Sequence, residues 1–461
     1  MKPLSKIRLF VLLCILGICP LSCESFLEVD LPKSQLAAPA VFEDYSTAEA
    51  ALLNIYSSIR DKGILTGSGQ GISNTLGNYA DELASSEAPN NFSLDFYKNS
   101  LLPSNTTVTG FWNASYNQIY AANAILEGAQ KSEALSQIQK NQLQGEAYFI
   151  RALLHFYLAE LFGDIPYITD TDYKKNSSVL RIPAAALNKK IISDLENSLE
   201  LLPAQPNDPS RVRPNRYAVQ ALLSRIYLYA KLYAEASNAA SAVLNQEGLY
   251  ALENPDQAFL LASRETIWQL QAGAAGKNTA EAAYFTFTSV PPPQVSLTAS
   301  LVNSFEAGDL RRSLWIKSVS KNASVYYHAY KYRENNATPA SKEYSIVFRT
   351  AEQYLIRAEA RAYQGDLIGA KEDLNRIRSR AGLNDTSAST QQEIIDAVLM
   401  ERRHELFTEQ GHRFFDLKRS GKLDSVLEGV KPGWNPTDSL LPLPQNELTL
   451  NPNLLPQNPG Y

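Results

Sequence analysis

The chain has 461 residues, 44% of them hydrophobic, and its 43 basic and 48 acidic residues give a formal net charge of −5. Nucleic-acid binding and attachment through a polybasic membrane-surface segment both require clustered positive charge, and this balance argues against them. Only two methionines are present, which argues against an adaptable, methionine-rich interface. The length suffices for one large hydrophobic core or two modest ones.

The first 22 residues have the pattern of a secretory signal. Three basic residues in the first eight positions precede a short apolar run from Leu9 to Ile18. That run is shorter than the roughly 20 apolar residues that span a bilayer. Leu21, Ser22 and Cys23 then resemble the lipobox of bacterial lipoproteins, in which the cysteine carries the lipid. We therefore predict a signal peptide over residues 1–22 and lipidation of Cys23; the alternative is an uncleaved anchor with a chance cysteine.

All three cysteines lie at or before position 23, which bounds the chemistry of the mature chain. Cys14 and Cys19 leave with the signal, so we expect no disulfide and no cysteine-ligated metal. Three basic residues leave with it, and the mature net charge becomes about −8. An exported chain of this kind must be stabilised by its core alone.

Most of the remaining chain has the period of amphipathic helices. Residues 47–61 predict a helix with Thr47 as its N-cap. Three helical pairs are predicted further along the chain. The first consists of residues 112–129 and 142–164, and its second helix ends at Gly163. The other two are hairpins within residues 217–243 and 351–380.

Two regions lack helical periodicity. Residues 254–343 are rich in Tyr, Pro, Thr and Ser and predict loops and short strands. The C-terminal stretch from Leu440 is punctuated by prolines and cannot form a long helix.

Two of the helical hairpins share one spacing. Ser224 precedes Ala236 by twelve residues, and Ala358 precedes Ala370 by the same number. A tetratricopeptide (TPR) unit places small residues in this way, where its two helices approach closely. The tandem period is absent because over a hundred residues separate the copies, so generic helical hairpins remain an alternative. We predict a mainly α fold, a TPR-like helical-hairpin scaffold with large loop-rich insertions and a few short strands.

We predict one domain over residues 23–461. Its N-terminal helical half covers about residues 40–250. Its C-terminal half covers about residues 251–461 and includes the loop-rich insertion 254–343.

Longer motifs occur in order along nearly the whole chain. Trp112, Tyr116, Ile119 and Asn123 have the spacing W-x3-Y-x2-I-x2-AN. The others are "CESFLEVDLP", "VFEDYSTAEAALLNIYSSI", "GEAYFIRALLHFYLAELFGDIP", "RIP" at Arg181, "AEQYLIRAEARAYQGDLIGAKEDLNRIRSRAGL" and "ERRHELFTEQGHRFFDLKRSGKL". Together they resemble the SusD/RagB family of outer-membrane nutrient-binding lipoproteins. Two departures are that Ser420 stands where the family often has Trp, and that the chain is shorter than many members.

The resemblance implies a non-catalytic receptor, usually for oligosaccharides, that needs no cofactor. Such a receptor is lipid-anchored to the outer membrane at the cell surface and covers a TonB-dependent, SusC-like β-barrel as a hinged lid. In that class the helical TPR face packs against the barrel, and a loop-rich face holds the glycan or other nutrient.

Sugar binding rests on aromatic rings, on which a C–H face stacks, and on polar side chains that bond the hydroxyls. The resemblance places two groups of loop residues on the ligand face. For each single residue, packing beneath a loop is the alternative. The candidates are Asn78, Tyr79, Asn90, Asn91, Phe92 and Tyr97 in the first group, and Tyr284, Phe285, Tyr326, Tyr327 and Tyr330 in the second.

The segment 404–416 invites a metal-binding or catalytic interpretation. His404 and His412 are eight residues apart, which is not the i, i+4 spacing of a zinc helix. We therefore predict a structural role without a metal, with nearby basic residues pairing the carboxylates of Glu405, Glu409 and Asp416. Those basic residues are Arg402, Arg403, Arg413, Lys418 and Arg419.

Three further patterns bear on catalysis. Asp81 and Glu82 are adjacent carboxylates, which rarely face one glycosidic bond from opposite sides. The glycines of "GSGQG" (Gly67 to Gly71) lack the spacing of a phosphate-binding loop, and no nucleophile elbow is present. We therefore predict no enzyme activity. The alternatives are a lipid-anchored glycoside hydrolase and a TPR scaffold lipoprotein without a small ligand.

Overall fold

The structure is a computed structural model that describes residues 38–461 apart from 88–90 and 207. Cys23 and Asn90, two of the predicted functional residues, lie outside the described residues. Within the described part, no helix is both long and apolar enough to cross a membrane. Helices hold 52% of the described residues, which confirms the mainly α prediction.

The N-terminal half is built from helices that follow one another closely. Helix α2 begins at Tyr45 because the side chain of Asp44 accepts a hydrogen bond from the Thr47 N–H at 3.2 Å. The prediction of Thr47 as N-cap was wrong, since Thr47 lies in the first turn. The helices are α1 (Ala38–Val41), α2 (Tyr45–Asp61), α3 (Ile72–Tyr79), α4 (Ser93–Tyr97), α5 (Thr106–Lys131), α6 (Gln137–Phe162), α7 (Tyr173–Asn176), α8 (Ala184–Leu201), α9 (Arg216–Tyr229) and α10 (Tyr233–Leu244).

Helix α6 shows how local sequence sets both ends of an element. Ser136 and Gln139 form a reciprocal capping box at its start. Gly163 stands at its C-terminal end with φ of 76°, a conformation that glycine adopts without steric cost. The predicted end at Gly163 is therefore confirmed.

The C-terminal half alternates short elements with longer helices. Its helices are α11 (Ala280–Phe285), α12 (Ala299–Ser304), α13 (Leu310–Leu314), α14 (Thr350–Tyr363), α15 (Leu367–Arg380), α16 (Gln391–Leu406), α17 (His412–Arg419), α18 (Leu423–Leu427) and α19 (Gln445–Leu450). The short helices α11 to α13 lie inside residues 254–343, where loops and strands alone were predicted, and correct that prediction. From Leu440 onward the chain holds only α19 and one 3₁₀ turn (Pro452–Leu454), in keeping with its prolines.

The described strands are short and pair in twos. They are β1 (Leu83–Ser85), β2 (Thr266–Leu270), β3 (Val295–Leu297), β4 (Ile316–Lys321), β5 (Ser324–Ala329) and β6 (Ser345–Arg349). All pairs are antiparallel: β1 with β3, β2 with β6, and β4 with β5 in a hairpin. The first two pairs join segments that are far apart in sequence, so they attach the insertion to the helical body.

The two TPR-like hairpins, α9–α10 and α14–α15, stack directly on each other through α10 and α14. Ser224, Ala236, Ala358 and Ala370 are all fully buried, as the spacing requires. The Ser224 hydroxyl donates to Gln353 Oε1 at 2.7 Å and links the first helices of the two units. The insertion therefore loops out of a continuous repeat stack instead of separating two structures.

Buried ion pairs fasten the insertion to α16. Arg349, at the end of β6, pairs with Glu265 and with Glu409, both at 2.7 Å, and also with Glu405. Arg311 on α13 pairs with Glu405 at 3.0 Å. Burial of ions costs several kcal/mol each, and multiple close partners offset that cost.

Candidate functional site

In the segment 404–416, the side chains of the histidines and carboxylates contact other protein groups. His404 stacks on Phe305 with ring centroids 4.5 Å apart, and its Nε2 lies 2.9 Å from Ser304 Oγ. Burial and nearby arginines lower the His404 pKa to about 3, so the ring is neutral. Among the described residues, no group of three His, Cys, Asp or Glu side chains could hold a metal.

The partners of the acidic residues in this segment differ in part from the prediction. Asp416 pairs with Arg402 at 2.7 Å and with Arg419 at 2.8 Å, as expected. Glu405 pairs instead with Arg311, Arg349 and Arg380. Of the other three cations predicted here, Arg403 and Arg413 bind Asp81, and Lys418 donates to the Glu160 carbonyl oxygen.

Asp81 and Glu82 lie in the protein interior. Asp81 accepts hydrogen bonds from Arg403 at 2.8 Å and from Arg413 at 2.7 and 2.9 Å. These two guanidinium groups lower the Asp81 pKa against the opposing effect of burial. Burial, and secondarily the Asp81 charge, raises the Glu82 pKa to about 7. Both side chains are almost fully enclosed, which leaves no space for a glycosidic bond between them.

The two predicted groups of loop residues meet at Gly69. A Cβ at this position would stand 2.1 Å from Tyr284 Cε2 and 2.8 Å from Phe92 Cζ, so both rings lie against the glycine backbone. The Tyr284 hydroxyl lies 3.0 Å from Ser93 Oγ. Phe92 and Tyr284 are both half-buried, so each ring keeps an exposed part.

The side-chain amide of Asn91 also connects the first loop group to the insertion. Its Nδ2 donates to Ser85 Oγ at 2.8 Å, to the Ser86 carbonyl at 2.9 Å and to the Gln294 carbonyl at 3.1 Å. These bonds continue the β1–β3 pairing. Asn91 therefore positions the loop, and its amide is occupied by protein.

Three other candidates are buried. Asn78 and Tyr79 are fully enclosed on α3, and Phe285 belongs to a buried hydrophobic cluster that also contains Trp315. Asn78 donates to Asn74, and the Tyr79 hydroxyl lies 3.2 Å from the Tyr461 hydroxyl. In this structure these three side chains contact protein and not solvent.

Tyr97 lies over a buried cation. Lys431 Nζ is 4.0 Å from the centre of the Tyr97 ring and donates to the Asn78 carbonyl at 2.5 Å. Burial lowers the Lys431 pKa to about 7. One face of the half-buried Tyr97 ring is therefore occupied by protein.

The remaining candidates lie on or just after β5. Tyr326, Tyr327 and Tyr330 are half-buried. The Arg312 guanidinium carbon lies 5.0 Å from the Tyr327 ring centre, and Arg333 lies 5.8 Å from that of Tyr330. None of these three tyrosines lines the cleft described next.

An open cleft of about 520 Å³ lies beside the Gly69 junction, a size typical of small-ligand sites. Gly67 and Ser68, just before Gly69, form one wall, and the start of α11 forms another. The polar and charged residues around it include Arg60, Asp61, Lys277, Asn335 and Asn336. Their guanidinium, carboxylate and amide groups suit the hydroxyls of a sugar.

Glu281 forms part of the cleft floor. Its Oε1 accepts from Ser345 Oγ, and burial raises its pKa. A Cβ at Gly67 would stand 1.9 Å from Glu281 Oε2, so any larger residue there would require this carboxyl to move. Sequence reasoning missed these cleft residues; the closely spaced glycines of "GSGQG" were the available signal, because closely packed backbone favours glycine.

A helical-repeat scaffold with an open polar cleft beside the aromatic pair Phe92 and Tyr284 defines the class of protein. The family model described as "Starch-binding associating with outer membrane" matches residues 26–228. A second, described as "SusD family", matches residues 311–461. The chain belongs to the SusD/RagB family.

Individual relatives agree with this assignment. The chain is 29% identical over 419 residues to SusD-like protein P2 of Formosa agariphila, covering 77% of this chain and 81% of the relative. A putative sugar binding protein from Bacteroides vulgatus superimposes with a TM-score of 0.73 at 27% identity, covering 90% and 98% of the two chains. A laminarin binding SusD-like protein superimposes with a TM-score of 0.75 at 23% identity, covering 90% and 99%.

Proposed function

We propose that this protein is a cell-surface lipoprotein that binds an oligosaccharide or a similar nutrient in the cleft beside Gly69. The observation that carries the proposal is the meeting of Phe92 and Tyr284, one from each loop group, next to an open polar cleft. A laminarin binding protein and a putative sugar binding protein with the same fold support a carbohydrate as the ligand.

Affinity in such a site comes from several modest contributions. Covering half of a roughly 200 Å² aromatic ring contributes about 2.5 kcal/mol at about 25 cal/mol per Å². Micromolar binding requires about 8 kcal/mol net of ordering costs. Phe92 and Tyr284 therefore act together with hydrogen bonds that Arg60 and the two asparagines of the cleft donate and Asp61 accepts.

The protein acts without catalysis. A glycosidase needs one carboxyl to protonate the leaving oxygen and another to face the sugar ring from the other side. Asp81 is neutralised by two arginines, and Glu82 is enclosed beneath it. We therefore expect a bound oligosaccharide to be released unchanged.

The lipid on Cys23 anchors the protein in the outer membrane, and a TonB-dependent, SusC-like transporter receives the ligand. Support comes from the family, described as associating with the outer membrane, and from the lipobox in the sequence. Purification from native membranes in mild detergent should recover such a barrel together with this chain. Recovery of the chain alone, with its lipid intact, would contradict the transporter assignment.

The binding proposal is tested by titrating the mature chain against a panel of neutral and acidic oligosaccharides, laminarin fragments included, by isothermal calorimetry. We expect micromolar binding to at least one oligosaccharide and at least tenfold weaker binding in Tyr284→Ala. The matched control is Tyr173→Ala, which removes an exposed ring from α7. Absence of binding to every oligosaccharide, with the fold intact, would refute the function.

A further inference from the structure

A second groove, of about 490 Å³, runs along α5 and shares no lining residue with the cleft. Tyr120, Ala124 and Gly128 are spaced four residues apart and form one stripe of α5 along it. Phe42 lies against Gly128 so closely that a Cβ there would stand 2.0 Å from Phe42 Cε2. Because Gly128 has no side chain, the Phe42 ring can form the floor of the groove. The Tyr120 ring lies half exposed at its side.

The rim of this groove is acidic. Glu43 and Glu133 are exposed, and within the described part of the chain neither has a cation within ion-pair distance. Glu127 is occupied, since it accepts from the Thr171 N–H at 3.0 Å and lies 3.9 Å from Lys131. The groove therefore has three carboxylates and one ammonium group, that of Lys131. The two exposed carboxylates, Glu43 and Glu133, are unpaired among the described residues.

We propose that this groove docks a basic segment of a partner protein. A Lys or Arg side chain would lay its apolar stem on Phe42 and Tyr120 and place its charge between Glu43 and Glu133. Long basic side chains bury their stems in this way, and an aromatic face attracts the cation. Charge complementarity selects such a segment and repels anionic lipid head groups and acidic glycans. The site is independent of the cleft and of the proposed function.

The test uses the mature chain in detergent and pools of fluorescent random hexapeptides, each pool with one fixed residue. Fluorescence anisotropy should show at least tenfold tighter binding of the Lys and Arg pools than of the Asp and Glu pools. Tyr120→Ala, and separately the pair Glu43→Gln with Glu133→Gln, should each reduce binding of the basic pools at least fivefold. Tyr363→Ala, which removes a half-exposed ring elsewhere, should leave it unchanged.

Three outcomes would overturn the proposal. One is equal binding of basic and acidic pools, and another is a basic preference that survives Tyr120→Ala and the double glutamine variant. The third is binding of a neutral oligosaccharide that is lost in Tyr120→Ala, which would make the groove a sugar site. Because the glutamine substitutions are isosteric and exposed, loss of folding does not confound the result.

Discussion

The ring of Tyr284 lies so close to the backbone of Gly69 that a Cβ at position 69 would stand 2.1 Å from the Tyr284 Cε2 atom. The same Cβ would stand 2.8 Å from Phe92 Cζ. Two loop groups that are nearly two hundred residues apart therefore share one backbone contact. Substitution at Gly69 should disturb both rings at once.

We predict that Gly69→Ala lowers both stability and oligosaccharide affinity. The added methyl group must displace one or both rings, and such overpacking costs about 1–3 kcal/mol. Urea denaturation and calorimetry measure the two effects. The control is Gly110→Ala in α5, where a Cβ meets nothing within 4 Å, and it should stabilise the helix by up to about 1 kcal/mol. Unchanged oligosaccharide affinity in Gly69→Ala would show that the Phe92 and Tyr284 rings do not contact the ligand.

The Tyr284 hydroxyl and ring should have separable roles. Tyr284→Phe removes the hydrogen-bonding partner of Ser93, 3.0 Å away, and should cost about 1 kcal/mol of stability. The ring remains, so oligosaccharide affinity should change less than threefold, whereas Tyr284→Ala should lose at least tenfold. Equal affinities of the Phe and Ala variants would contradict a stacking role for the ring.

The stacked repeat units depend on a buried ion pair. Arg225 on α9 makes two 2.7 Å hydrogen bonds to Glu352 on α14, and both side chains are 1% exposed. Glu352→Ala leaves the guanidinium buried without its partner, and should cost about 3–5 kcal/mol in chemical denaturation. Asp396→Ala breaks the exposed pair with Lys422 and should cost at most about 1 kcal/mol. Similar costs for the two variants would contradict this ranking.

Glu82 should make stability fall as pH rises. Its folded pKa is about 7 against an ordinary 4.5, mainly because it is buried. Between these values the unfolded chain has released its proton while the native state keeps it, so the free energy of unfolding decreases with pH. The loss amounts to up to about 3 kcal/mol, is complete above the folded pKa, and is absent below about pH 4.

The substitution Glu82→Gln isolates this effect. Urea denaturation at pH 5 and pH 8 should show a smaller decrease for Glu82→Gln than for the unsubstituted chain. The control Glu200→Gln changes an exposed side chain and should keep the original decrease. Identical pH dependence in all three proteins would show that Glu82 is ionised in the folded state at neutral pH.

Helices and their boundaries could be predicted wherever the signal is local. The end of α6 at Gly163 follows from one glycine, and the buried Ser224 and Ala358 follow from a twelve-residue spacing. The start of α2 could not be predicted to the residue, because Asp44 and Thr47 are both good caps and the backbone geometry chose Asp44. Within residues 254–343, short helices such as α11 carry too few residues for a period to show.

The candidate site was predictable only in outline. The family resemblance indicated two loops, and their aromatic and amide side chains then selected Phe92 and Tyr284, which the structure brings together. The same composition also selected Asn78 and Tyr79, which are buried on α3. Composition does not distinguish a ring beneath a loop from one on its surface, because burial depends on what packs above it.

The sequence by itself determined the twelve-residue spacing of the two hairpins, the end of α6 at Gly163 and the order of the family motifs, since each depends on residues close together in the chain. It also predicts lipidation of Cys23. Tertiary structure alone decided that the two hairpins stack across the insertion, that Asp81 pairs with Arg403 and Arg413, and that the Phe92 and Tyr284 rings both lie against Gly69. Such partners are chosen by close packing and by the need to pair buried charges, and neither condition depends on how near the partners are in sequence.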